Sequence, residues 1–356
     1  MKTRWVLAIV VLGVAFAPFG HAGAQSTQAY GIAAKRPVFA GACHYCPWGA
    51  IADVVKAAMK PYDYDVQICY VCATTFGPRQ VAGALVPQPR ADVAAARPAG
   101  LVIMGPDEPV PKGPVDFGAT STPNLRRAYE GRGDYEKEGP RKNLRVFAIV
   151  DYPAYLLVAA TKESGITDLA QLKGRKTPLR VLVDNQPESR EVLAYYGHTE
   201  DSIKAAGGTV RRGGPQVTTD FDLVVFGGTL SNAPEQAVWY TLTQKYDLLF
   251  LQLPDDLILQ LAKDPDYERR TAPLGLLRGL DRNIPTVARH MNAVFGRADA
   301  PEAFAYTVAK ALDEQQDLWT WAPIPLYYNP RTAWKTNGLP LHPGAVRYYR
   351  EKGYMK

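Results

Sequence analysis

Four cysteines in two C-x-x-C pairs, Cys43-His44-Tyr45-Cys46 and Cys69-Tyr70-Val71-Cys72, are the side chains best equipped for chemistry. Each pair directly follows an apolar run that reads as a β-strand. In an oxidising compartment the four sulfurs can close as two disulfides, within each pair or between the two loops. Paired thiolates on tight turns can also converge on one soft ion, so zinc or copper is a second use, with His44 as a further donor. The 22 residues from Pro47 to Ile68 are slightly more than a zinc ribbon uses. Free or redox-active thiols are the third use. Beside the sulfurs, His44 and Tyr45 carry groups that could hydrogen-bond or stack on a ligand, or simply on their neighbours.

A second set of polar residues, Asn185, Ser189 and Arg190, lies between a strand and a helix start. Backbone N–H groups and the helix dipole favour an anion there, although Ser189 could instead only cap the helix. Gly227 and Gly228 follow another strand and would admit a close ligand, or merely turn the chain. Catalytic signatures are sparse. The chain has no H-E-x-x-H, no G-x-S-x-G and no glycine-rich nucleotide loop. A site closed by four thiolates would also lack an open coordination position, so the expectation is a binder without enzymatic activity. A periplasmic metal-binding protein or metalloenzyme built on the two C-x-x-C pairs is the competing class.

The elements that must position these residues alternate between strand and helix. A strand over Val38 to Ala42 leads to Pro47 and a helix with Trp48, Ile51, Ala52, Val55, Ala58 and Met59 on one stripe. A strand over Asp65 to Tyr70 completes a β-α-β unit, whose crossover brings the two cysteine pairs into neighbouring loops. The carboxyl ends of such strands form the crevice where ligands bind in α/β sheets. Residues 86–118 are rich in Pro, Ala and Gly and read as an irregular insertion. Further strands are expected at Leu144 to Val150, Tyr155 to Ala160, Leu179 to Val183, Asp222 to Phe226, Leu248 to Leu251 and Met291 to Phe295. Helices are expected over Pro254 to Lys263 and from Pro301 to about Leu318. The pattern implies an α/β fold. Trp319, Trp321, Tyr327, Tyr328 and Trp334 read as packing of the C-terminal segment.

Residues 1–24 have the layout of a secretory signal peptide: basic residues, an apolar run from Trp5 to Phe19, and Ala22-Gly23-Ala24 before Gln25. A periplasmic location follows as the expectation. Cleavage there would remove Lys2 and Arg4 and lower the formal charge from +6 to +4. The charges are mixed along the chain without like-sign blocks, which argues against nucleic acid as a partner. Some 330 residues after cleavage exceed what one core usually serves, so two domains around a cleft are expected.

Three blocks carry a likeness. They are Tyr45-Cys46-Pro47-Trp48-Gly49, the stretch from Asn143-Leu144-Arg145 through Ser164-Gly165-Ile166 to Leu172-Lys173-Gly174, and Leu339-Pro340-Leu341-His342-Pro343-Gly344-Ala345 with Tyr348-Tyr349 and Glu351-Lys352-Gly353. Together they resemble the TAXI family of solute-binding proteins that serve TRAP transporters. The resemblance implies a type II periplasmic binding protein fold, with two α/β domains around a hinge cleft. It assigns residues 25–152 and 253–356 to domain I and 153–252 to domain II. It also implies a small anionic solute, a carboxylate, captured in the cleft without a required cofactor and delivered to a TRAP-type membrane permease. A ligand sensor for a membrane receptor would use the same features. Family ligand loops map onto Cys43 to Trp48, onto Ala73 to Arg79 with Thr74 and Thr75, and onto Asp184 to Arg190. Within the second loop Arg79 is the natural carboxylate anchor, because a guanidinium pairs bidentately with carboxylates.

Overall fold

The structure is a computed structural model that describes residues 30–41, 47–69, 72, 77–83, 115–150, 154–184, 186–212, 220–228, 237–289, 292–322, 324, 325 and 327–356. Its strands are β1 (Val38–Ala40), β2 (Gln67–Cys69), β3 (Phe117–Ser121), β4 (Leu144–Ile149), β5 (Ala154–Thr161), β6 (Arg180–Val183), β7 (Thr209–Arg212), β8 (Leu223–Gly228), β9 (Leu248–Leu251), β10 (Tyr267–Ala272), β11 (Ile284–Arg289) and β12 (Asn292–Arg297). They form two sheets, so the expected architecture of two α/β units is present. The first sheet runs β2-β1-β3-β12-β4 and the second β10-β11-β5-β8-β6-β7, with β9 pairing to β5. The chain passes between the sheets twice, from β4 to β5 and from β11 to β12.

The β-α-β unit forms as its sequence pattern requires. Val38, Phe39 and Ala40 pair in parallel with Gln67, Ile68 and Cys69. Between them the Pro47–Met59 helix buries Ile51, Val55 and Met59 in one core with Phe304, Val308 and Leu312 of the Glu302–Glu314 helix. Pro47 sits at the head of the helix, where its missing N–H is no loss.

Two sequence-level boundaries are corrected. Residues 117 and 118, read as the end of the insertion, open β3, which lies at the centre of the first sheet beside β1 and β12. The strand gives a weak signal because it must be thin. A Cβ on Gly118 would stand 2.7 Å from the Ala40 Cβ and 2.8 Å from its carbonyl oxygen, so only glycine fits. The chain also returns to the first unit at Asn292, not at residue 253. β10 and β11 extend the second sheet, and the Asp255–Leu261 helix packs Leu257, Ile258 and Leu261 with Leu156, Val158 and Val183 of that unit.

The C-terminal block seals the first unit. Val146 donates its N–H to the Pro340 carbonyl and accepts from the His342 N–H, both at 2.9 Å. His342 then caps the Pro343–Glu351 helix, its Nδ1 accepting from the Gly344 N–H at 3.2 Å. A Cβ on Gly344 would lie 2.1 Å from the Glu302 carbonyl, so this glycine lets two helix starts touch. Trp319 and Tyr327 are buried in the core and Tyr328 stacks on Trp319 at 5.6 Å, whereas Trp321 stands 87% exposed.

Candidate functional site

The parallel strands put their carboxyl ends at Gly41, Cys69 and Ser121 in the first unit and at Asp184 and Gly228 in the second. These ends are where an α/β sheet offers a binding crevice. Of the residues singled out in the sequence, Cys43, His44, Tyr45, Cys46, Thr74, Thr75 and Asn185 lie outside the described residues. Cys69, Cys72, Arg79, Ser189 and Arg190 lie within them.

Cys69 and Cys72 are joined in a disulfide, with their Cα atoms 5.4 Å apart. Bonded sulfurs are not thiolates, so this pair is withdrawn from a four-thiolate metal site and from a loop-to-loop disulfide. Both residues are 1% exposed, packed with Ala40, Val81, Leu125 and Phe295. Their backbone closes a tight turn, the Cys72 N–H donating to the Cys69 carbonyl at 3.3 Å, and the Gly41 N–H meets the same carbonyl at 3.2 Å. The bridge therefore closes the turn after β2, and the Gly41 N–H ties that turn to the end of β1. Among the described residues no group of three His, Cys, Asp or Glu side chains could hold a metal ion.

Arg79, expected as a carboxylate anchor, has a carboxylate of the protein as its partner. Its Nε donates to both oxygens of Glu138, at 2.7 and 2.9 Å, and one terminal nitrogen donates to the Asp134 carbonyl at 2.6 Å. The guanidinium lies 4.4 Å from the Tyr135 ring centroid, and the residue is 8% exposed. Burial alone would raise the Glu138 carboxyl, but hydrogen bonds from Arg141 and Arg79 outweigh it and hold the group below the usual range. Tyr135, pushed up to about 12 by burial, donates to Asn124 Oδ1 at 3.1 Å.

On the second unit, Asp184 ties two strand ends together. Its Oδ1 accepts from the Gln186 N–H at 2.9 Å and its Oδ2 from the Gly227 N–H at 2.6 Å. The Pro187–Tyr195 helix begins there with Gln186 as its cap residue, and no side chain caps it, so Ser189 is not the cap. Glu188 is 2% exposed and accepts the Tyr267 hydroxyl at 2.6 Å. Burial raises its carboxyl pKa, with Arg289 pulling the other way. Arg289 itself donates to Gln186 Oε1. Ser189 is fully buried and its Oγ has no hydrogen-bond partner, while Arg190 is exposed.

This wall is more acidic than its sequence suggests. The positive end of the helix already faces Asp184 and Glu188. Glu188, Tyr267 and Arg289 were missed because the helix that carries Glu188 meets strands that begin 79 residues further along the chain. The one legible hint was an acid in the first turn of a helix. A cavity of about 330 Å³ lies elsewhere, between Arg175, Leu179, Tyr196, His198 and Ile203, at the amino end of β6 and away from Asp184.

The sequence profile of the NMT1-like family matches residues 108–353. That span takes in the second and third sequence blocks and leaves out Tyr45 to Gly49. Among solved structures, a protein of Bordetella bronchiseptica RB50 is similar at 13% identity, with 90% of each chain covered and a TM-score of 0.38. An ABC uptake transporter substrate-binding protein from Streptococcus pneumoniae with bound histidine is similar at 10% identity, covering 81% of this chain and 92% of that one, with a TM-score of 0.33. The periplasmic aliphatic sulphonate binding protein of Escherichia coli shares 14% identity over 90% of this chain and 84% of its own, with a TM-score of 0.29. None of the three fixes what this chain binds.

Proposed function

This chain belongs to the NMT1-like family, and we propose that it captures a small solute between its two α/β units and hands it to a membrane transporter. The observation that carries this reading is the double passage of the chain between two sheets whose strand ends bear the polar residues. Two adjacent crossings make a hinge, and a solute that touches both walls stabilises the closed form. Catalysis is not required. The leader-like residues 1–24 place the protein in the periplasm in this reading, and no helix among the described residues is long and apolar enough to cross a membrane.

The three sequence blocks support a TRAP-type permease as the receiving partner. A carboxylate remains the proposed solute, with a changed set of cations. Arg79 is engaged by Glu138, and on the second wall Arg289 lies beside the buried Ser189 hydroxyl's helix with that hydroxyl as the spare polar group. Native mass spectrometry of the full chain purified from the periplasm tests the proposal. A single small molecule released on denaturation supports it. A protein that leaves the cell empty, and that shows no compaction with any of a panel of amino acids and oxo-acids, refutes it. A transport assay with the permease separates delivery from sensing.

A further inference from the structure

We propose that Arg126 and Asp266 brace the two units across the hinge and set how far they close. Arg126 stands in the second turn of the Thr122–Glu130 helix, which follows β3 directly. Ser121, the last residue of β3, pairs with Asn292, the first residue after the second crossing. Asp266 directly precedes Tyr267, which pairs with Arg289, the last residue before that crossing. The two charges therefore come from opposite units, one beside the end of β11 and the other beside the start of β12. Arg126 Nε donates to Asp266 Oδ1 at 3.0 Å, with the side chains 9% and 19% exposed.

Each half is anchored in its own unit. The Arg126 guanidinium also donates to the Asn337 carbonyl at 2.6 Å, and the Asp266 N–H donates to Asp264 Oδ1 at 2.9 Å. The Arg126 guanidinium is thus pre-set, Asp266 is carried on a backbone turn of the other unit, and bringing the units together is what joins the pair. Little Arg126 rotamer freedom is left to lose and both side chains are largely buried, which separates this pair from an ordinary surface ion pair. The brace also reaches the candidate wall. Tyr267, the next residue, donates its hydroxyl to Glu188 in the first turn of the Pro187–Tyr195 helix. Arg126 and Asp266 are therefore positioning residues: they touch no solute but couple the closure angle to the wall that would meet one.

The inference rests on the two-unit closure of the proposed function. Its test is the inter-unit distance in the solute-free full chain, measured by pulsed electron resonance between nitroxide residues at Lys60 and Lys204 and by small-angle scattering. Arg126→Ala and Asp266→Asn should each lower the closed-to-open ratio about tenfold, the scale of coupling seen for contacting charged residues. The double variant should be no worse than either single one, and Arg126→Lys should fall between. If Arg126→Ala fails to fold, Asp266→Asn, which keeps the shape and removes the charge, decides alone. Distances unchanged in these variants, whatever happens to the melting temperature, would overturn the brace, as would strictly additive effects. If the distances respond while native mass spectrometry finds no solute, capture is refuted and the brace stands. If solute is found and the distances do not respond, only the brace falls.

Discussion

Replacing Arg79 with Ala distinguishes a structural arginine from a ligand anchor. Removing one partner of a buried ion pair costs about 3–5 kcal/mol, whereas an exposed pair contributes about 0–1. With the Arg79 side chain 10% exposed and Glu138 34% exposed, the loss falls between these limits, at about 2 kcal/mol. Losing the cation over the Tyr135 ring adds about 1 kcal/mol. A total of about 3 kcal/mol lowers the melting temperature of a cooperative unit of this size by about 6 to 12 °C. Circular dichroism melts measure that shift, and native mass spectrometry at 20 °C measures solute retention in the same preparation. The expected result is a large drop in melting temperature with solute retained. An unchanged melting temperature with solute lost would refute the structural assignment and restore Arg79 to the binding site.

Two further perturbations bear on the second wall and on the first sheet. In Gly227→Ala the new methyl would stand 2.4 Å from Glu188 Oε1 and 3.4 Å from Asp184 Oδ2, so overpacking should cost about 1–3 kcal/mol and reduce solute retention; a melt and retention equal to wild type would show that Glu188 does not hold this position. Asp116, whose Oδ2 accepts the Val38 N–H at 2.8 Å, is pushed up to about 6 by burial, against that hydrogen bond and Arg297. Its folded-state pKa thus lies above the unfolded value near 4, so its contribution to stability is present at low pH and lost as pH rises through about 6. Relative to Asp116→Asn, wild type should lose about 2 kcal/mol between pH 4 and 7 in urea melts; parallel pH profiles would contradict the assignment.

Some of this molecule could be read one residue at a time. The stripe of the Pro47–Met59 helix, the strand at Leu248–Leu251 and the cap and turn chemistry of His342-Pro343-Gly344 are local, set by the periodicity of burial and the conformational preferences of Pro and Gly. The strand Phe117–Ser121 was illegible because close approach to β1 requires glycine at 118, and Gly118 and Ala119 are residues depleted in strands. The placement of β10 and β11 was equally hidden, since a strand's own pattern does not say which sheet it joins.

What the sequence by itself determined is the alternation of strands and helices, the C-x-x-C spacing that puts Cys69 and Cys72 in one turn at a strand end, and the general place of the polar residues that follow the strands. Only the tertiary structure decided that Arg79 answers Glu138, 59 residues away, that Asp184 and Glu188 occupy the helix end read as an anion site, and that Arg126 meets Asp266 from the other unit across 140 residues. The physical reason is range. Backbone preference and amphipathic period act over a few residues, whereas a charge takes as its partner whichever opposite group the folded chain brings within about 4 Å, and that distance is fixed by the path of the whole chain.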